Sequence, residues 1–306
     1  MRDSNPAYHI PVLLSEAMDG LNIRASGIFV DCTFGGGGHS TEILAHLNSE
    51  GRLFGFDQDE DAKRNIIPDE RFVFIPHNFR HIRRFLRLHG ITAVDGILAD
   101  LGVSSHQFDE PTRGFSTRSE EAGLDMRMDK RQSQTAEVVL NTYGEQKLQE
   151  IFSMYGEVTN ARTLARAIVT LRNKTAFRTV NGFKQAIADL VKGNPNRYFA
   201  QVFQALRIEV NDETGALREM LAQVPDLLKP GGRIAIISFH SLEDRIVKQF
   251  FRSGRFEIND EQDPFGSSPF ITPFRTITKK PITPSEKELG RNPRARSAKL
   301  RIAEKI

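Results

Sequence analysis

The chain has 306 residues with a formal net charge of only +3, and 39% of its residues are hydrophobic. A chain of this length and composition can bury one large core or two smaller ones, as ordinary globular proteins do. Its single cysteine, Cys32, excludes an internal disulfide framework and fits a reducing compartment. No segment approaches the ~18 consecutive apolar residues of a membrane span, and residues 1–6 lack the apolar core of a secretory signal. We therefore expect a cytoplasmic protein without a membrane-bound part.

The first hundred residues alternate between apolar strand patterns and helical patterns. A short amphipathic helix is predicted at 12–21 and a basic helix at 82–88, and strands are predicted at 27–31, 52–57, 71–75 and 94–100. This alternation predicts an α/β fold with a parallel, doubly wound sheet. Ligands of such sheets bind at the carboxyl ends of the strands, where Asp31, Asp57, Phe79 and Asp100 fall.

The first strand runs into four consecutive glycines at positions 35–38, and a helical pattern follows from Ser40. Glycines let the backbone turn sharply and let a ligand lie against bare peptide. The second strand ends at Asp57, where an acid can accept hydrogen bonds from the hydroxyls of a ribose. The strand, the glycine loop and the acid together predict a site for a nucleoside cofactor.

Two nucleoside cofactors fit this pattern, a dinucleotide and S-adenosylmethionine. The G-x-G-x-x-G pattern of dinucleotide sites is poorly met, because Ser40 stands at the sixth position counted from Gly35. S-adenosylmethionine needs an acid for its ribose, a wall for its adenine and acceptors near its sulfonium, and Asp57, Phe79 and Asp100 supply these in chain order. The residues therefore favour the methyl donor over the dinucleotide.

The turn after the fourth strand is where a methyl acceptor should bind. Asp100 is the predicted acceptor or base, and the hydroxyls of Ser104 and Ser105 are predicted to orient the substrate. The same turn partly matches the G-x-S-x-G elbow of hydrolases, but His106 stands where the final glycine is required. No metal site is predicted, because no third ligand accompanies the histidines at 77 and 81.

The strand pattern stops for about a hundred residues and helical patterns replace it, with a capping box predicted from Thr142 to Glu145. We predict an all-helical insertion domain at 108–198 within a sheet domain formed by 1–107 and 199–306. Residues 160–197 contain eight Arg or Lys and one acid, a net charge of +7, which favours contact with nucleic acid over an ordinary solvated surface. Arg162 and Arg166 are the predicted RNA contacts.

The sheet pattern resumes near the end of the chain. A long or broken helix is predicted at 199–228, a fifth strand at 233–239, an irregular segment at 254–276 and a closing strand at 297–303. The helix after the fifth strand is predicted to be capped by Ser241 and Asp244, and His240 and Arg245 are predicted to border the substrate. A second basic segment at 279–301 adds to the indication of a nucleic-acid partner.

Six motifs along nearly the whole chain resemble the bacterial 16S ribosomal RNA cytosine-N4 methyltransferase family. They are the glycine loop, Asp-Leu-Gly-Val-Ser-Ser at 100–105, Arg-Gly-Phe-Ser at 113–116, Leu-Asp-Met-Arg-Met-Asp at 124–129, the segment 239–245 and Asn-Pro-Arg-Ala-Arg-Ser at 292–297. The resemblance implies a Rossmann-like class I methyltransferase that acts on a decoding-site (P-site) cytidine of 16S rRNA in the small ribosomal subunit. The cofactor positions that it implies are Gly37, Gly38, His39, Asp57, Phe79, Asp100 and Gln107.

Two other functions remain open at this point. One is an RNA-binding assembly factor that keeps the cofactor fold without transferring a methyl group, and the other is a DNA methyltransferase, which only the resemblance argues against. The residues do not decide the oligomeric state, and a homodimer is one of the assemblies left open.

Overall fold

The computed structural model describes residues 11–119, 121–256 and 272–306. The strands are β1 Ile28–Asp31, β2 Arg52–Phe56, β3 Phe72–Ile75, β4 Val94–Asp100, β5 Leu228–Ser238, β6 Phe274–Thr276 and β7 Lys299–Lys305. The helices are α1 Leu14–Leu21, α2 Gly38–His46, α3 Ile82–Leu88, α4 Ser105–Asp109, α5 Ala136–Thr142, α6 Glu145–Met154, α7 Ala161–Arg172, α8 Val180–Ala186, α9 Pro195–Asn211, α10 Glu213–Leu227, α11 Ser241–Ser253 and α12 Glu286–Arg291. None of the helices in these described ranges is long and apolar enough to cross a membrane.

The chain divides into two compact units, one that runs up to Gly102 and resumes at Gly215, and one formed by Val103–Thr214. The first unit holds a seven-stranded sheet in the order β3-β2-β1-β4-β5-β7-β6. The first five strands are parallel to one another, whereas β7 is antiparallel to both β5 and β6. The predicted parallel, doubly wound sheet is confirmed.

Both faces of the sheet are covered, because successive residues of a strand point to opposite faces. Val30 packs on one face and Phe29 on the other. The first face is covered by α3, α10 and α11, and the second by α1, α2 and the C-terminal segment around Ala295. The central residues of the parallel strands are therefore apolar, as in Ile97–Ala99 of β4 and Ile234–Ile237 of β5.

Strand β5 begins at Leu228, five residues before the predicted start. Its pairing with β4 shifts between Val94 and Gly96, so that residues 229–232 bulge out opposite the single residue Asp95. Within the bulge, Nζ of Lys229 donates a hydrogen bond to Oδ2 of Asp95 at 2.7 Å. These four residues, which separate the predicted helix from the predicted strand, thus form a bulge within β5.

The second unit is helical and has its own core. Leu148 and Phe152 of α6, Leu164 of α7 and Phe203 of α9 are all buried in one cluster. The predicted insertion ended at 198, whereas this unit continues to Thr214, because α9 packs against the other helices of the cluster. The helix predicted at 199–228 as long or broken is broken at Asp212, whose left-handed backbone (φ 46°) ends α9 before α10 begins.

Both predicted helix caps differ from the structure. Thr142 is the last residue of α5 and donates its hydroxyl to the carbonyl of Val138 at 2.7 Å, so the capping box at 142–145 is wrong. Helix α11 is capped by His240, whose Nδ1 accepts from the backbone N–H of Glu243 at 3.4 Å, rather than by Ser241. Asp244 instead accepts from Arg301 Nε of β7 at 2.6 Å. Of the predicted irregular segment, residues 257–271 lie outside the described residues, and 274–276 form β6.

Candidate active site at the strand ends

The glycine loop connects the carboxyl end of β1 to α2 by a tight turn. Gly35 and Gly37 have left-handed backbones (φ 50° and 76°), which favour glycine over residues with a side chain. A Cβ on Gly37 would lie 3.1 Å from the ring of Phe34, and one on Gly38 would lie 2.3 Å from Cγ of Pro11. The turn therefore excludes side chains at Gly37 and Gly38 and leaves bare peptide at the start of α2.

Asp57 directly follows β2 and is hydrogen-bonded to this loop. Its carboxylate accepts from the backbone N–H of Gly35 at 2.8 Å and from that of Asp59 at 2.8 Å. Burial raises the pKa of Asp57 to about 7, although both hydrogen bonds oppose the rise. A carboxylate oxygen has two lone pairs, so Asp57 can still accept from the hydroxyls of a ribose.

A buried polar network links β1 to β4. Asp31 is almost fully buried, and its oxygens accept from the backbone N–H of Thr33 at 3.0 Å and from Oγ of Ser40 at 2.7 Å. The hydroxyl of Thr33 in turn accepts from the backbone N–H of Asp100 at 2.7 Å. Burial raises the pKa of Asp31, while the charge of His39 acts in the opposite direction. The sequence placed Asp31 at the ligand-binding edge but assigned it no role in the site, and Ser40 was not predicted as a site residue.

Asp100 lies at the end of β4 with one oxygen unpaired. Its Oδ1 is buried and has no hydrogen-bond partner among the described residues, which is rare for a buried acceptor. Its Oδ2 lies 3.8 Å from Nδ1 of His39. Burial, with smaller contributions from the charges of Asp31 and Glu243, raises the pKa of Asp100 well above its usual value. The site thus presents an acceptor that lacks a donor.

The other predicted cofactor and catalytic residues fall in two places. Phe79 opens a short 3₁₀ helix after β3 and is partly buried against the core of the first unit. Ser104 and Gln107 belong to the helical unit and form a capping box at the start of α4, with Ser104 N–H donating to Oε1 of Gln107 at 3.0 Å and Gln107 N–H donating to Oγ of Ser104 at 3.2 Å. Ser105 is the first residue of α4. The site roles of these four residues stay predictions.

His240 and Glu243 form a buried pair at the start of α11. Nε2 of His240 lies 3.1 Å from Oε1 of Glu243, and Oε2 of Glu243 accepts from the backbone N–H of Phe239 at 2.9 Å. Their side chains are only 7% and 4% exposed. Glu243 was not predicted as a site residue, because its sequence neighbourhood reads as the first turn of an ordinary helix. Arg245 is exposed on the same helix.

The basic residues of the helical unit divide into structural and exposed groups. Arg172 donates to the backbone carbonyls of Leu140 and Tyr143, and Lys184 donates to that of Thr117. Arg162 is exposed, and Arg166 is exposed with a contact of 3.5 Å to Glu145. Arg162 therefore offers the more available charge of the two predicted RNA contacts.

The strand order, with β7 antiparallel between β5 and β6, is that of the class I S-adenosylmethionine-dependent methyltransferases. The predicted fold class, methyltransferase activity and cofactor are confirmed. The chain belongs to the MraW methylase family, whose model matches residues 6–306.

Curated relatives match the whole length of the chain. The "Ribosomal RNA small subunit methyltransferase H" of Bacteroides thetaiotaomicron is 54% identical over 306 residues and is covered completely, as is this chain. The protein of the same name from Flavobacterium johnsoniae is 55% identical over 300 residues, which are 98% of each chain. Among solved structures, an rRNA methylase from Streptococcus thermophilus is 12% identical with a TM-score of 0.42, over 98% of this chain and 99% of that one.

Proposed function

We propose that this methyltransferase transfers a methyl group to the exocyclic N4 amine of a decoding-site (P-site) cytidine in the 16S rRNA of the small ribosomal subunit. Relatives that are 53–55% identical over nearly the whole chain are named ribosomal RNA small subunit methyltransferase H, which supports rRNA of the small subunit as the substrate. The observation that carries it is the buried Oδ1 of Asp100 at the end of β4, which has no hydrogen-bond partner within the described part of the chain, because an exocyclic amine can supply such a donor. A cytoplasmic location, where ribosomal subunits are assembled, is part of the proposal.

The residues at the strand ends fit S-adenosylmethionine. The side-chain-free turn at Gly37 and Gly38 would receive its methionine part, Asp57 would accept from its ribose hydroxyls, and Phe79 would flank its adenine. When bound, the cofactor supplies an electrophilic methyl group and leaves with the electron pair of the broken S–C bond.

The acceptor amine is a weak nucleophile, because its lone pair is shared with the cytosine ring. Asp100 would accept a hydrogen bond from the amine and so favour the pyramidal nitrogen that can attack. Correct placement of two reactants can contribute on the order of 7–11 kcal/mol, and a base roughly 10²–10⁴-fold. Ser104 and Ser105 are assigned to orienting the nucleotide, and His240 and Arg245 to bordering it.

The helical unit is assigned to rRNA binding. Its segment 160–197 carries a net charge of +7, and six of the eight basic side chains there are exposed. Arg162 and Arg166 are the first contacts that we assign to rRNA phosphates, since phosphate contacts supply most of the affinity of such proteins.

The test is incubation of the protein and labelled methyl donor with small subunits from a strain that lacks this protein, followed by nucleoside analysis. We expect label in N4-methylcytidine from 16S rRNA and none when subunits from the parent strain are used. Cofactor binding without transfer to any subunit would instead indicate an assembly factor, and label in duplex DNA would indicate a DNA methyltransferase. Either result would refute the proposal.

A further inference from the structure

His39 occupies an unusual position for a residue of a cofactor loop. It is the second residue of α2, its side chain is only 7% exposed, and its Nε2 lies 3.0 Å from the carbonyl oxygen of Val12. A carbonyl can only accept a hydrogen bond, so Nε2 must carry a proton and donate it. In the neutral ring, the other nitrogen, Nδ1, is therefore a proton acceptor.

This acceptor nitrogen faces Asp100. Nδ1 of His39 lies 3.8 Å from Oδ2 of Asp100, while Oδ1 of the same carboxylate is the buried atom without a partner among the described residues. The two oxygens of Asp100 thus have different surroundings, one beside the imidazole and one left for an incoming donor. The separation is about 1 Å longer than a hydrogen bond, and such contacts are often long in unliganded enzymes and shorten in the reacting complex.

Two further acids of the described residues act on this pair. Asp31 of β1 acts electrostatically on both His39 and Asp100, and Glu243 of α11 acts on Asp100. A proton held as an imidazolium would therefore have carboxylates near it, whereas a second negative charge would not be favoured there. The surroundings are suited to receive a positive charge on His39.

We propose that His39 accepts, through Asp100, the proton that the substrate amine loses when it is methylated. This inference rests on the proposed function, because it requires an amine as the methyl acceptor. The amine nitrogen forms its new bond to carbon and loses one N–H bond, and that proton passes to the Asp100 carboxylate. Asp100 passes it to Nδ1 of His39, which becomes an imidazolium that donates from Nδ1 to Asp100 and from Nε2 to Val12. His39 acts through Asp100 and does not touch the substrate.

A purely structural role for His39 would be to hold residues 11–13 against the glycine loop through Val12. Two substitutions separate the roles. The amide nitrogen of His39→Gln can reach the position of Nε2 and keep the hydrogen bond to Val12, but no titrating Nδ1 remains. His39→Asn has a shorter side chain and loses the contact with Val12 as well.

At saturating S-adenosylmethionine, we expect His39→Gln to lose roughly 10- to 100-fold in single-turnover methylation of small subunits. The rate should rise with pH in both proteins as the base loses its proton. In His39→Gln this rise should occur at lower pH. In the wild type the proton can reside on either Asp100 or His39, so the pair stays protonated up to a higher pH than Asp100 alone would. A structural role alone predicts instead that His39→Gln has the wild-type pH profile and that only His39→Asn is impaired, which would overturn the inference.

A second readout does not depend on activity. The readout is the NMR spectrum of protein with ¹⁵N-labelled histidine and no cofactor, in which the His39 ring should be the Nε2–H tautomer. Asp100→Asn should shift the titration of His39 to lower pH, because a neutral amide no longer favours the imidazolium. An Nδ1–H tautomer, or a titration that Asp100→Asn does not move, would overturn the inference. Wild-type protein that fails to methylate subunits while the NMR result holds would refute the proposed function and leave the His39–Asp100 pair in place.

Discussion

Asp57 offers a test in which stability and cofactor binding change in opposite directions. In the folded protein, burial raises the pKa of its carboxyl group from 3.8 to about 7. A group whose pKa is raised on folding favours the folded state fully below the unfolded pKa, and this contribution is lost as the pH rises through the folded pKa. The wild-type protein should therefore lose stability between about pH 4 and pH 7 on account of Asp57.

The magnitude follows from the shift in pKa. A change of about three units corresponds to about 4 kcal/mol that is lost by pH 8, and the part lost between pH 5.5 and pH 8 is about 2 kcal/mol. Asp57→Asn removes the titration. The amide oxygen can still accept one of the two hydrogen bonds that the backbone N–H groups of Gly35 and Asp59 donate to the carboxylate. Because the other hydrogen bond is lost, the free energy of unfolding of the variant is also lower by about 1 kcal/mol at every pH.

The assay is urea unfolding without cofactor at pH 5.5 and pH 8. The stability of Asp57→Asn relative to the wild type should rise by about 2 kcal/mol between the two pH values. Asp69→Asn is the matched control, because the hydrogen bonds of Arg71 lower the pKa of Asp69 to about 2 and leave it charged at both pH values. An equal pH dependence in Asp57→Asn and wild type would refute the reasoning.

The same substitution, Asp57→Asn, should weaken the binding of the cofactor. A charged carboxylate that accepts from ribose hydroxyls contributes about 1.5–3 kcal/mol, so Asp57→Asn should bind S-adenosylmethionine roughly 10- to 100-fold more weakly at pH 8 by calorimetry. The wild-type affinity should rise with pH through about 7 as Asp57 becomes charged, whereas that of the variant should stay flat. Unchanged affinity in Asp57→Asn would remove Asp57 from the cofactor site.

Three further outcomes follow from named contacts. Asp100→Asn should fold and bind cofactor but lose at least 10²-fold in single-turnover methylation, and near-normal turnover would contradict its assignment as the acceptor. Arg162→Glu should reduce the slope of log affinity for rRNA against log salt concentration by roughly 0.7–0.9. Arg172→Lys is the control and should leave this slope unchanged, because Arg172 donates to two backbone carbonyls. Asn211→Ala should destabilise the helical unit by about 3 kcal/mol in urea unfolding, because Asn211 bonds Met126, Met128 and Arg207 from a buried position, and a change below about 1 kcal/mol would contradict this.

The sheet and its ligand-binding edge could be predicted because their signals are local. Helix α3 and strand β4 have the predicted bounds, and the ends of β1 and β2 were found within one residue. In the strands, a run of apolar residues stops at a polar residue or a glycine, and burial between two helical layers explains why the run is apolar. The acids at the strand ends could therefore be assigned to the site before the strands were known to be neighbours.

The end of the helical unit could not be predicted in this way. The side chains of α9 have a helical apolar stripe whichever unit they pack against, so the pattern alone did not assign them. Contacts with α5 and α6 place α9 in the helical unit. Strand β6 was missed for a similar reason, since three residues are too few to show an alternation and their strand conformation comes from pairing with β7.

The sequence by itself therefore determined the alternation of strands and helices up to β4, the glycine turn and the acids that end these strands, because steric and hydrophobic preferences act between near neighbours in the chain. Tertiary structure alone decided which of these groups act on one another. Asp100 meets His39 from 61 positions away, and Asp244 meets Arg301 from 57 positions away. No local pattern encodes such pairs, since their distances are set by how whole elements pack, and the chemistry of the site depends on those distances.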